Sequence, residues 1–158
     1  LNSERLNQIL EKYDLEVNFY LHAKFQEYAD TFKSISKRIH LISFGEVAVN
    51  EMLMRCRMLI TDYSSVCWDI LYQDKPSLFY QFDIEKYNEA HGSYIDMETE
   101  LFGDRAATQE QLLDYLEETV QNDFRLKPEY EKMRGEYLQF KDHEHSRHIC
   151  EEIKKRFH

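Results

Sequence analysis

The sequence predicts an α/β domain built on a mostly parallel sheet with helices on both faces. Short apolar runs alternate with apolar stripes at helical spacing along most of the chain. Four Gly and two Pro among 158 residues predict short loops and prominent helices, and 42% apolar residues suffice for one core. One apolar run stops at a polar turn that feeds directly into a helix-compatible segment, Leu59-Ile60-Thr61-Asp62-Tyr63-Ser64-Ser65-Val66-Cys67-Trp68-Asp69.

Leu6, Ile9, Leu10 and Tyr13 form a first helical stripe, with Ser3 placed to cap it. Residues 17–21 read as a strand that ends at His22. Phe25, Tyr28, Ala29 and Phe32 form a second stripe, and residues 39–42 a short strand. Val49, Met52, Leu53 and Cys56 form a third stripe, followed by an apolar strand over 58–61. Residues 66–72 are helical until Asp74-Lys75-Pro76 breaks them. Residues 77–80 return to strand, and 84–87 make one or two helical turns. A looser stretch from His91-Gly92 leads to a short strand at 105–107. Three helices close the chain: about 109–121 (Leu112, Leu113, Leu116), one after Pro128 (Tyr130, Met133, Tyr137, Phe140), and one from near Asp142 (Ile149, Ile153, Phe157). The whole is one α/β domain over 1–158 with C-terminal helices at about 109–157, expected to be part of a longer protein.

The formal net charge is −10, which argues against a self-sufficient binder of nucleic acid or of an anionic membrane surface. No apolar run is long enough to span a bilayer, and no signal peptide is visible. Cys56, Cys67 and Cys150 are odd in number, far apart and on apolar helix positions, so they are expected to be buried reduced thiols.

Ligands of parallel α/β sheets bind at the carboxyl ends of the strands. Three polar features land there: His22, Ser43 and the turn containing Thr61, Asp62, Ser64 and Ser65. The first N–H groups of a helix lack partners and favour an anion. Ser64 and Ser65 could add hydroxyl donors to a phosphate, or the same residues, with Asp62, could serve as an ordinary helix cap. Asp69 lies one helical turn after Ser65, where a carboxylate could accept from two ribose hydroxyls or sit solvated. His22 could act as a base, or as a cation beside a phosphate, or stand as a surface histidine. The run Asp142-His143-Glu144-His145-Ser146-Arg147-His148 resembles a metal cluster, but no third ligand appears at fixed spacing. It is expected to be a capped helix start with solvated histidines and no metal, in which Arg147 could hold a diphosphate bidentately.

Residues 58–87 as a block carry a resemblance. The strand, Thr61-Asp62-Tyr63-Ser64-Ser65, Asp69, Lys75-Pro76, the aromatic strand after it, Phe82-Asp83 and Tyr87 together resemble the CDP-glycerol glycerophosphotransferases. These are the teichoic-acid and capsule polyol-phosphate polymerases of bacteria. Weaker matches are His22 at a strand end, Gly92 before Tyr94 and Asp96, and Ser146 with Arg147 at a helix start. The resemblance implies the Rossmann-like second half of a GT-B architecture, the donor-nucleotide domain. It implies that His22 supports the chemistry, that Ser64 and Ser65 cradle the diphosphate of a CDP-linked polyol, and that Asp69 faces the ribose. No cofactor or metal is implied. The lipid-linked or polymer acceptor would be bound mainly by an N-terminal domain outside this chain. The intact protein would be cytoplasmic, peripheral on the inner face of the cell membrane through parts outside this chain. Three departures stand out: Ala23 where the family usually has Pro, His91 where Arg often precedes the Gly, and no match to an opening strand ending in Pro-Thr-x-Arg. A nucleotide-sugar glycosyltransferase of the same architecture and a non-catalytic α/β binding module are the rival readings.

Overall fold

A computed structural model describes residues 1–32, 36–92 and 95–157. The elements in order are α1 (Glu4–Lys12), β1 (Val17–Tyr20), a 3-10 helix (Ala23–Thr31), β2 (Ile39–Ile42), α2 (Val49–Arg55), β3 (Leu59–Thr61) and α3 (Cys67–Tyr72). There follow β4 (Ser77–Tyr80), α4 (Ile84–Ala90), β5 (Asp104–Ala106), α5 (Gln109–Gln121), α6 (Pro128–Tyr137) and α7 (His145–Phe157).

Every ladder is parallel, as the alternation requires. The strands form two sheets rather than one continuous sheet, β1–β2 and β3–β4–β5. Alternation sets the direction of neighbouring strands, because a helix returns the chain to the same end. It does not set which strands adjoin, and β1 and β3 do not pair.

The larger sheet is covered on both faces. On β4, Leu78 (1% exposed) packs with Ile9, Leu113 and Leu116 of α1 and α5. The next residue, Phe79 (2% exposed), points to the other face and packs with Cys67, Leu71, Leu101, Phe102 and Leu126. Trp68, Tyr130, Met133 and Tyr137 close that second layer. The two-residue period of the strand thus feeds one side chain to each layer. Burying either ring or branched chain is worth about 1.5–3 kcal/mol.

Local signals place the ends. The Ser3 hydroxyl accepts from the Leu6 N–H, as its position predicts. Thr108 and Gln111 form a capping box at the start of α5. After α3, Asp74 takes a left-handed φ of 57°, and the Lys75 N–H reaches back to the Ile70 carbonyl. The Lys75 ammonium then donates to the Leu53 and Met54 carbonyls at 2.7 and 2.8 Å, capping the end of α2.

Several expectations are corrected. The stripe at Phe25, Tyr28, Ala29 and Phe32 winds as a 3-10 helix, and Phe25 and Tyr28 are exposed. Phe140 lies beyond α6 and stacks on His148 with centroids 4.0 Å apart. Of the cysteines, all free, Cys67 alone is buried; Cys56 follows α2 half-buried, and Cys150 is exposed on α7. Tyr94 lies outside the described residues. Among the described residues no helix is long and apolar enough to cross a membrane.

Candidate functional site

The carboxyl ends of the strands carry the predicted residues, in two groups. His22 lies two residues beyond β1, and Ser43 directly follows β2, its neighbour in the small sheet. The 61–65 turn follows β3 in the large sheet, beside the end of β4. No hydrogen bond or ring contact joins the two groups among the described residues.

His22 is exposed and caps the 3-10 helix, its Nδ1 accepting from the Lys24 N–H at 3.2 Å. A neutral ring held this way carries its proton on Nε2, which is left as a donor. Ser43 is half-buried, and its N–H donates to the Glu46 carboxylate at 3.0 Å. That carboxylate occupies a backbone donor that could otherwise meet a ligand. Only the hydroxyl of Ser43 is left for one.

The 61–65 turn is not an ordinary cap. Asp62 spends its carboxylate on the adjacent Tyr63 N–H at 2.6 Å rather than on a helix N–H. α3 starts without any side-chain cap, although its first carbonyl acceptors are Ser64 and Ser65. The hydroxyls and N–H groups of Ser64 and Ser65 are exposed and make no hydrogen bond among the described residues. Asp69 sits exposed in the first turn of α3, its carbonyl accepting from Gln73. Thr61 ends β3 half-buried. No Lys or Arg side chain bonds to the turn among the described residues. An anion there would rest on hydroxyls, backbone donors and the small dipole of a six-residue helix.

The segment after β4 braces this turn, and sequence reasoning assigned it no role. Gln81 donates from Nε2 to the Asp62 carbonyl at 3.0 Å. The Tyr63 hydroxyl donates to Asp83 at 2.9 Å. The Tyr63 ring stacks on Tyr87 with centroids 3.6 Å apart and planes 7° from parallel. Burial, and then the bond to Asp83, pushes the Tyr63 phenol well above its usual range, so it remains a donor. The signal that could have found this was adjacency: β3 and β4 are parallel neighbours, so residues just past their ends must meet.

Arg147 lies elsewhere. Its guanidinium pairs with Glu144 at 2.8 Å on α7. The neighbouring His145 bonds to the hydroxyl of Tyr72, the last residue of α3 and the end away from the turn. Asp142 accepts from the Glu144 N–H and from His148 at 3.0 and 2.8 Å. Among the described residues no group of three or more His, Cys, Asp or Glu is placed to hold a metal ion.

The family model of CDP-Glycerol:Poly(glycerophosphate) glycerophosphotransferase matches residues 1–155. A teichoic acid poly(ribitol-phosphate) polymerase of Bacillus spizizenii is 33% identical over 96 residues, which is 61% of this chain and 14% of that protein. A teichoic acid glycerol-phosphate transferase of Staphylococcus aureus is 27% identical over 146 residues, 89% of this chain and 34% of that protein. The chain therefore spans well under half the length of these relatives. A structure of the wall teichoic acid polymerase TagF superposes with a TM-score of 0.62 at 20% identity, covering 96% of this chain and 47% of that one. The fold is thus the α/β, parallel-sheet Rossmann-like kind found in one half of a GT-B architecture, with C-terminal helices. With the family model matching nearly the whole chain, the protein belongs to the CDP-glycerol:poly(glycerophosphate) glycerophosphotransferase family.

Proposed function

We propose that this domain forms the donor-binding wall of a transferase that moves a polyol phosphate from CDP-glycerol or CDP-ribitol to a growing cell-surface polymer. The observation that carries the reading is the uncapped 61–65 turn, whose two serine hydroxyls and N–H groups have no partner among the described residues and lie at the carboxyl edge of a parallel sheet. Relatives named as glycerol-phosphate and ribitol-phosphate transferases support a polyol donor. A TagF crystal soaked with CDPG, superposing at a TM-score of 0.58, supports the same fold.

In this reading an acceptor hydroxyl attacks the phosphorus next to the polyol. The bond from that phosphorus to the bridging oxygen breaks, and CMP leaves with the electron pair. The hydroxyl proton passes to a base on the acceptor side, outside the turn. Ser64 and Ser65 hold the diphosphate, and Asp69 accepts from the ribose. Thr61 and Asp62 set the path of the turn. The Ser43 hydroxyl and the Nε2–H of His22 donate to phosphate oxygens as charge builds there. Arg147 reaches a diphosphate only by leaving Glu144. The acceptor is met by another part of the intact protein, which works at the inner face of the cell membrane.

The test is a titration of CDP and UDP against the chain and a Ser64→Ala/Ser65→Ala variant. Hydrogen bonds to a charged group are worth about 1.5–3 kcal/mol, so the variant should bind CDP at least about tenfold more weakly. Equal affinity of parent and variant would remove the phosphate cradle. Preference for UDP would move the donor to a nucleotide sugar, and binding of neither would favour a non-catalytic module.

A further inference from the structure

Asp83 occupies the N-cap position of α4, where a carboxylate ordinarily accepts from the helix's own N–H groups. It makes no such bond. Its Oδ1 instead accepts from the Tyr63 hydroxyl across the gap between the β3 and β4 ends, at 2.9 Å. The same short segment supplies the other supports of the turn. Tyr87 lies flat on Tyr63, and His91 lies on Tyr87 with centroids 4.9 Å apart. Gln81, 1% exposed, holds the Asp62 carbonyl, while its Oε1 is buried with no partner among the described residues. A helix cap and one buried acceptor are both forgone, and in each case the residue serves the 61–65 turn instead.

We propose that Asp83 is a positioning residue: with Tyr63 and Tyr87 it holds the Ser64 and Ser65 donors in the geometry that receives a nucleoside diphosphate. This rests on the donor-site reading given above. The physical need is specific. α3 is six residues long and has no side-chain cap, so little within the turn fixes its own backbone. Donors that are ordered before the ligand arrives bind it without a further entropic cost on binding. Asp83 acts through Tyr63 and touches no ligand itself.

The experiment compares the parent chain with Asp83→Leu, Tyr63→Phe and Asp83→Asn, reading the CDP dissociation constant and the ligand-free melting temperature. Asp83→Leu and Tyr63→Phe should each weaken CDP binding about tenfold. Together they should weaken it no further than either alone, because both break one bond. Asp83→Asn should bind as the parent does, since the amide oxygen still accepts from the phenol. A CDP affinity equal to the parent's in Asp83→Leu and Tyr63→Phe, with only the melting temperature lowered, would overturn the proposal. If the parent binds no CDP, the donor-site reading fails, and amide hydrogen exchange of Cys67, Trp68 and Asp69, which donate to the Ser64, Ser65 and Val66 carbonyls, becomes the readout for the brace. Faster exchange there in Asp83→Leu, with the rest of the chain unchanged, supports it, and unchanged exchange overturns it.

Discussion

Gly103→Ala is expected to loosen the sheet that carries the 61–65 turn. Gly103 directly precedes β5, whose first residue Asp104 is in register with Leu78 of β4. A methyl group at Gly103 would lie 2.1 Å from the Ser77 carbonyl oxygen and 2.9 Å from Cε2 of Phe79. Its φ is outside the left-handed region, so the requirement is for space and not for a special backbone conformation. The nearest atom belongs to the backbone of β4 and cannot rotate away. Relief requires β4 and β5 to part by roughly 1 Å, against an ordinary strand spacing of about 4.8 Å. Overpacking of this kind costs about 1–3 kcal/mol, and a weakened ladder bond adds about 1 kcal/mol. At about 2–4 °C per kcal/mol for a chain of this size, the melting temperature should fall by about 4–16 °C in thermal unfolding followed by circular dichroism. Gly135 on α6 is the control: nothing lies within 4 Å of its added Cβ, and alanine there should raise the melting temperature slightly. A Gly103→Ala chain that melts within about 2 °C of the parent would refute the close-packing argument.

Burial pushes the Cys67 thiol up to about 11, while Cys150 is exposed, so at pH 8 an alkylating reagent should modify Cys150 first and Cys67 last; mass mapping after timed quenching gives the order. The hydrogen bond from His148, then that from the Glu144 N–H, holds the Asp142 carboxyl below the usual carboxylate range. A lowered folded value means that its contribution is complete above about pH 4 and is lost as pH falls through that value. Asp142→Asn should therefore flatten the acid limb of stability against pH, measured as melting temperature between about pH 5 and pH 2. Arg147→Ala should leave CDP affinity within about twofold, because its helix meets α3 through His145 and Tyr72, at the end away from the turn; a tenfold loss would show that it reaches the diphosphate.

Much of this architecture was legible in the sequence because local chemistry and tertiary structure agree. β2, β4 and α5 lie where the apolar pattern put them, and Ser3 caps α1 as its spacing requires. The sequence was less informative where periodicity is degenerate. Phe25 and Tyr28 are three apart, which fits one face of a 3-10 helix as well as of an α-helix. The stripe of Ile149, Ile153 and Phe157 specifies the helix of α7 but not a partner, and all three side chains are exposed. Pattern also says nothing of strand order, so the division into two sheets was not visible. At the site, the strand-end positions of His22, Ser43 and the 61–65 turn followed from topology. The engagement of Asp62, Glu46 and Asp83 did not, because a carboxylate's choice of partner depends on geometry across strands.

A structure of this chain with CDP bound tests the donor wall most directly. Diphosphate oxygens are expected about 2.7–3.2 Å from the hydroxyls or N–H groups of Ser64 and Ser65, with the ribose toward Asp69. A nucleotide ordered elsewhere, with the 61–65 turn empty, would contradict it.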